Sequence, residues 1–278
     1  MKACLQHASL RRICWLLGVS RSSLECRRTR MGRRSSDERD ALTARIHELI
    51  QQHPTYGYRR IWALLRFGEG LQINKKAVYR RMKANGWMVH QRMPMAKPRV
   101  RSSRSIASRS DERWATDVTH VPAGRDGWGH LAVVIDCHDR EIIGWEFALR
   151  SRAKEAERAL EAACLRRFGT LRPEGPKPVL RSDNGLIFQS SKFRAACRDY
   201  GITQEYITPY TPEQNGLVER FFRSLKEECT WQNRYASFEE AQRSIARWIR
   251  WYNHERPHSS LGYKSPRHYR SHQTQEVA

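Results

Sequence analysis

Apolar residues recur along this chain with two different periods, and the change falls near residue 111. In Asp37–Gln51, Leu42, Ile46, Leu49 and Ile50 fall at helical spacing. Pro54 and Gly57 close that run, and Tyr58–Arg66 opens a second helix with Ile61, Leu64 and Leu65 inward. Beyond the Gly68–Gly70 turn, Asn74 is placed to cap a third helix, NKKAVYRRMKANG, which Gly86 ends. Val78 and Met82 form its buried stripe, leaving Lys75, Lys76, Arg80, Arg81 and Lys83 outside. A shorter pattern precedes these three. Leu10–Leu17 reads as a helix broken at Gly18, with Ser20 capping a restart; alone it is a weak helix-turn-helix signal.

From Trp114 the period drops towards two. Trp114–Val121, His130–Cys137 and Ile142–Leu149 are β-rich runs parted by Gly/Asp turns, which predicts an antiparallel meander. A helix over 152–169, a strand over 178–182, a helix over 191–200 and a strand over 203–206 follow, then long helices over 213–229 and 238–254. Three strands followed by alternating helices and strands predict an α/β fold, a mixed five-stranded sheet flanked by helices, in the order of the ribonuclease H architecture. Between the two halves, residues 92–111 lack periodicity, and through 110 they carry basic residues and no acidic one. The expected organisation is a helix-turn-helix-like segment over 1–35, an all-α helix-turn-helix domain over 36–91, a basic linker over 92–111, a catalytic core over 112–270 and a tail over 271–278.

Charge gives the first half a partner. The chain carries a formal net charge of +22, unevenly spread: residues 1–111 hold 25 Lys/Arg against 7 Asp/Glu, and residues 112–278 hold 26 against 22. A lopsided excess within helical patterns is the footprint of a polyanion-binding segment joined to a more neutral domain. Lys75, Lys76, Arg80 and Arg81 are then the expected DNA contacts of a recognition helix; an ordinary three-helix bundle with a charged outside is the alternative. The seven cysteines form no C-x-x-C pair and are odd in number, which argues against a disulfide framework or a cysteine zinc site. No segment reaches the length of a membrane span, and the expected location is cytoplasmic.

Three acids stand out by placement. Asp117 lies within the first strand, Asp183 where the fourth strand opens into a loop, and Glu219 in the first turns of a helix. The expected topology makes the first and fourth strands neighbours and lays the helix across their shared end. Three carboxylates from three elements suit Mg2+ or Mn2+, hard cations usually held by few carboxylates, and two ions activate an attacking oxygen and neutralise a phosphodiester. On the last of these elements Val218, Phe222 and Leu225 define a core face, while Asn215, Glu219, Arg223 and Lys226 line a polar one, where Glu219 can point at metal and Asn215, Arg223 and Lys226 are expected DNA contacts. A plain amphipathic helix with a solvated side fits the helix equally well. Asp136 and Asp139 are rival ligands, but Asp136 reads better as the cap of the turn leading to Arg140. His120 is turned partly away from Asp117, and Asn184 and Gly185 are expected to shape the loop presenting Asp183.

Asp117, Asp183 and Glu219, with 35 residues between the last two, resemble the acidic triad of retroviral integrases and their bacterial relatives. The strings SDNG at 182–185, TPYTPEQNGLVERFFRSLK at 208–226 and YNHERPHSSLGYKSP at 252–266 are similar to the second-frame transposase subunit of bacterial insertion sequences. The resemblance implies a divalent-metal-dependent transposase that cuts phosphodiesters at an element's ends and transfers the strands to target DNA. It implies carboxylates that bind metal, a DNA contact at Lys226, a homo-oligomer on DNA and an upstream-frame helix-turn-helix partner. The chain departs from the retroviral pattern in lacking the spacing of an N-terminal His/Cys zinc module. Two rivals stand beside it: a non-catalytic DNA-binding regulator, and a simple ribonuclease H-like nuclease, which leaves the basic half unexplained.

Overall fold

The computed structural model describes residues 10–16, 18, 20, 36–89, 107–208 and 211–277. Its contacts divide the chain into two units, one of Met1–Ile61 with Asn74–Met88, the other of Trp62–Ile73 with Val89–Ala278. Helix α1 spans Leu10–Leu16 and Gly18 turns with φ +61°; the restart expected after Ser20 and nearly all of the basic linker lie outside the described residues. Helices α2 (Ser36–Gln52), α3 (Tyr58–Ala63, continued by a π turn over Leu64–Gly68) and α4 (Lys75–Ala84) follow. In the first unit Leu42, Ile46, Leu49, Ile61, Val78 and Met82 are buried, the stripes that the helical period marks out. Asn74 caps α4 by accepting the Lys76 N–H at 2.9 Å, and Gly86 follows the helix at φ +70°.

The second unit is built on one sheet. Strands β1 (Arg113–Pro122), β2 (Trp128–Asp136), β3 (Ile142–Ala148), β4 (Val179–Ser182) and β5 (Thr203–Tyr206) lie in the order β3-β2-β1-β4-β5. The first three form an antiparallel meander; β4 and β5 run parallel to β1. Alternation sends Trp114, Ala132, Val134, Ile143 and Leu180 to one face, under α5 (Ala153–Phe168) and α7 (Ser191–Asp199). Ala115, Val121, Leu131, Val133 and Phe147 go to the other, under α8 (Gly216–Leu225) and α9 (Phe238–His254). Helix α5 lies so close on β3 that a Cβ at Gly144 would stand 2.0 Å from the Ala159 carbonyl oxygen. Two packed faces of a mixed sheet make the ribonuclease H-like architecture that the element order predicts.

Three segments depart from expectation. The helix expected over 213–229 is a 3-10 turn over Pro212–Asn215, then α8, then a π turn over Lys226–Thr230. Asn215 leaves helical geometry because it is the N-cap of α8, and the π turn ends with Glu228 against a buried arginine described below. A short helix, α6 (Leu186–Gln189), follows the Asp183 loop. The expected tail is instead part of α10 (Pro266–Val277), secured where Arg267 and Arg270 reach Glu141 and Asp111 at 3.0 and 3.3 Å. No helix among the described residues is long and apolar enough to cross a membrane, and the described cysteines are buried free thiols.

Candidate active site

Register places the first two acids. In the parallel ladder Arg113 pairs with Val179, Trp114 with Leu180 and Ala115 with Arg181. The same offset carried two residues further brings Asp183, at the mouth of β4, level with Asp117 on β1. Asp117 shares the sheet face of Ala115 and Val121, the face that α8 covers through Val218, Phe221 and Leu225. Glu219, exposed in the first turn of α8, belongs to the same neighbourhood, for its charge acts on Asp117 together with that of Asp183.

The electrostatics of Asp117 record this gathering. Burial, then the negative charges of Asp183 and Glu219, push its carboxyl up to about 7. The Val118 N–H, donated to Oδ1 at 2.7 Å, and the charge of Lys226 pull the other way. Among the described residues no three His, Cys, Asp or Glu side chains converge closely enough to hold an ion. The three acids stand in electrostatic reach of one another, short of convergence. Their donor set is all oxygen, which fits a hard divalent cation.

The loop after Asp183 has the form the sequence suggests. Gly185 donates its N–H to Asp183 Oδ1 at 2.9 Å, and Asn184 Nδ2 donates to the Ile207 carbonyl at 2.9 Å. A Cβ at Gly185 would stand 2.9 Å from Asp183 Oδ1, so this carboxylate needs the bare backbone beside it. His120 is exposed and meets the His130 ring edge-on at 4.7 Å. Asp136 is buried and caps its turn as expected, accepting the N–H groups of His138, Asp139 and Asp111 at 2.8, 3.1 and 2.7 Å. Asp139 is likewise occupied, by Ser110, by the Glu141 N–H and by Arg167.

The expected DNA contacts divide. On α8 and the turn after it, Arg223 is exposed and Lys226 half-buried. Asn215 is only 2% exposed and donates to the Thr116 carbonyl at 3.4 Å, so it ties α8 to β1 rather than facing phosphate. On α4, Lys76 and Arg80 are exposed and Lys75 half-buried, while half-buried Arg81 turns back on its own helix, donating to the Ala77 carbonyl at 3.3 Å.

Sequence reasoning offered no task for the string YNHERPH, and packing supplies one. Asn253 makes two 2.9 Å bonds with Ile142, accepting its N–H and donating to its carbonyl. Arg256, 3% exposed, donates to both Glu228 oxygens at 2.8 and 2.7 Å and to Ser224 at 3.2 Å. His258 packs edge-on against Tyr252. These residues fasten α9 to the sheet and to the far end of α8. Arg181 was also missed, although an arginine inside the apolar strand VLRS is itself a signal.

Known proteins resemble the chain over most of its length. Integrase core domain models match residues 107–212 and 200–266, and an HTH-like domain model matches 37–94. Transposase InsD for insertion element IS2A/D/F/H/I/K, from Escherichia coli, is 34% identical over 247 residues, 86% of this chain and 81% of that one. The insertion element IS2A 48.2 kDa protein of Escherichia coli is 34% identical over 250 residues; the match covers 87% of this chain and 58% of that longer protein. Among solved structures, the catalytic core domain of BIV integrase matches at 19% identity with a TM-score of 0.43, over 60% of this chain and 99% of that one. Identity at the level of InsD, over most of both chains, makes this chain a member of the insertion-element transposase family, DNA transposases with an integrase core domain.

Proposed function

We propose that Asp117, Asp183 and Glu219 are the catalytic carboxylates of this transposase, which cuts phosphodiesters at an element's ends and joins the freed 3′-hydroxyls to target DNA. The observation that supports the reading is the β1–β4 register, whose Ala115–Arg181 pair continued by two residues aligns Asp117 with Asp183, while Glu219 acts on the same carboxyl. Mg2+ or Mn2+, as two ions held by these three side chains, would supply charge neutralisation at phosphorus and an activated oxygen. The protein's own part is positional. Burial and two like charges disfavour the charged form of half-buried Asp117, so a bound cation would favour it and metal uptake would release protons near neutral pH.

Arg223 and Lys226 follow Glu219 along the same helix and turn, where they can hold phosphates beside the carboxylates. Lys76 and Arg80 offer exposed charge to a duplex in the first unit, with Lys75 and Arg81 at its margin. A second copy of the chain on DNA and an upstream-frame helix-turn-helix protein are the proposed partners, and the bacterial cytoplasm the proposed location. The test is labelled element-end DNA incubated with Mg2+ or Mn2+, with and without the upstream-frame protein. Metal-dependent nicking and joined products are expected; tight end binding without either product would leave a DNA-binding regulator as the reading.

A further inference from the structure

The cation inside β4 has no part in the chemistry just described, and its bonds are specific. Arg181 is 5% exposed in an interior strand, where a lone charge is costly unless paired. Its Nε and Nη2 donate to the two oxygens of Glu205 on β5, at 3.2 and 3.1 Å. Arg113 Nε lies 3.4 Å from the same carboxylate. The remaining arm, Nη1, donates to the Gln214 carbonyl at 3.1 Å. That carbonyl belongs to the 3-10 turn leading into α8, and the turn is closed on itself, for the Gln214 side chain bonds Thr208 at 2.8 and 3.2 Å. Asn215, the next residue, is tied to Thr116 beside Asp117.

Adjacent residues at the foot of α8 are thus stapled to the two strands that carry Asp117 and Asp183. Glu219 stands four residues further on, about 6 Å along the helix axis. We infer that Arg181 is a positioning residue that sets the position of Glu219 relative to Asp117 and Asp183. The inference rests on reading those carboxylates as a metal site. Only a guanidinium can grip a carboxylate with two N–H groups and keep a third for a carbonyl; lysine keeps the charge and loses the fork. The opposite end of α8 is held independently by Arg256 on Ser224 and Glu228, so the two anchors can be separated by experiment.

The experiment is Mn2+ binding to the full chain, followed by the electron paramagnetic resonance of the free ion, beside thermal unfolding and the metal dependence of joining. Arg181→Lys should weaken Mn2+ binding by about 10- to 100-fold. It should raise the metal concentration for half-maximal joining in parallel and leave metal-free DNA binding unchanged. Arg256→Lys is the structural comparison, expected to lower the unfolding midpoint without moving Mn2+ affinity. Should Arg181→Lys not fold, the pair Arg181→Met with Glu205→Gln removes the ion pair together, cuts the same tether, and is expected to lose Mn2+ affinity alike. Wild-type Mn2+ affinity in a folded Arg181 variant, or an equal loss in Arg256→Lys, overturns the inference while the metal site stands. A wild-type chain that takes up no Mn2+ removes the metal site, and this inference with it.

Discussion

Around Arg167, where β1 begins, four carboxylates are gathered; around Asp117, nearer the end where β4 opens into its loop, there are three. In the first group Arg167 lies 2.8 Å from Asp139, 3.1 Å from Asp111, 3.3 Å from Glu141 and 3.8 Å from Asp136. Arg267 and Arg270 add contacts to Glu141 and Asp111, and backbone N–H groups fill Asp136. In the second group Lys226 acts on Asp117, whose carboxyl is pushed up to about 7 by burial and by Asp183 and Glu219; burial and Asp139 raise Asp136 of the first group as well, so the two groups differ in their bonded partners and not in that shift. One sheet therefore treats its acids in two ways. Where the fold needs the carboxylates, arginine and amides meet them. Where burial and like charges meet at Asp117, its charged form is disfavoured and a site that attracts positive charge remains.

The sharpest way to break this comparison is to neutralise each group. Asp183→Asn and Glu219→Gln should each lower strand joining at least about 1000-fold, as groups that act as a unit, and their double variant should lose no more. Folding and end binding should survive in both. Appreciable joining by either variant with Mg2+ would remove that residue from the site. Arg167→Ala strands several buried carboxylates and should cost about 3–5 kcal/mol of stability in denaturant unfolding. A loss below about 1 kcal/mol would mean that the arginine cluster is no better satisfied than the other.

A pH titration sharpens the comparison without metal. Asp117 has the ordinary carboxyl value of 3.8 when unfolded, and burial with its like-charged neighbours pushes it up to about 7 when folded. Between those values the folded chain holds a proton that the unfolded chain releases, so stability should fall as pH rises from about 4 to about 7 and level off above. Asp117→Asn mimics the protonated form, so its unfolding midpoint should decline less over that range and lie above wild type at pH 8. A wild-type slope in the variant would place the titration elsewhere.

Smaller effects are expected at the basic residues. Lys226→Ala should lower joining at sub-saturating DNA by about 10-fold, the loss of one charge-assisted phosphate contact, and leave Mn2+ binding nearly unchanged. Loss of metal binding in that variant would show that the faces of α8 are assigned wrongly. On α4, Arg80→Gln should lower the salt dependence of DNA binding by about one phosphate contact, a slope change of about 0.9. Arg81→Gln should change it less, since Arg81 is half-buried and bonded to its own helix.

Local information carried much of this molecule. Hydrophobic period and end signals delimit α4, β5 and α9 closely, because Asn74, Ser237 and the Gly86 turn act within a few residues of the helices they bound. The acids were legible too, since the strings around them are continuous in the chain. Bonds between distant residues were not. Asn215 looks like a DNA-facing residue on a helical wheel, but it is the N-cap, and its amide reaches a strand about a hundred residues earlier. Arg256 and Asn253 have no visible purpose until Glu228 and the Ile142 backbone are brought beside them. Sequence alone therefore determined most of the elements and the order of the strands, and it singled out the three carboxylates proposed as the site. Tertiary structure alone decided which acids meet arginine, which charges press on Asp117, and how α8 is tied to β1 and β4, because a buried charge is satisfied by whatever the fold brings next to it.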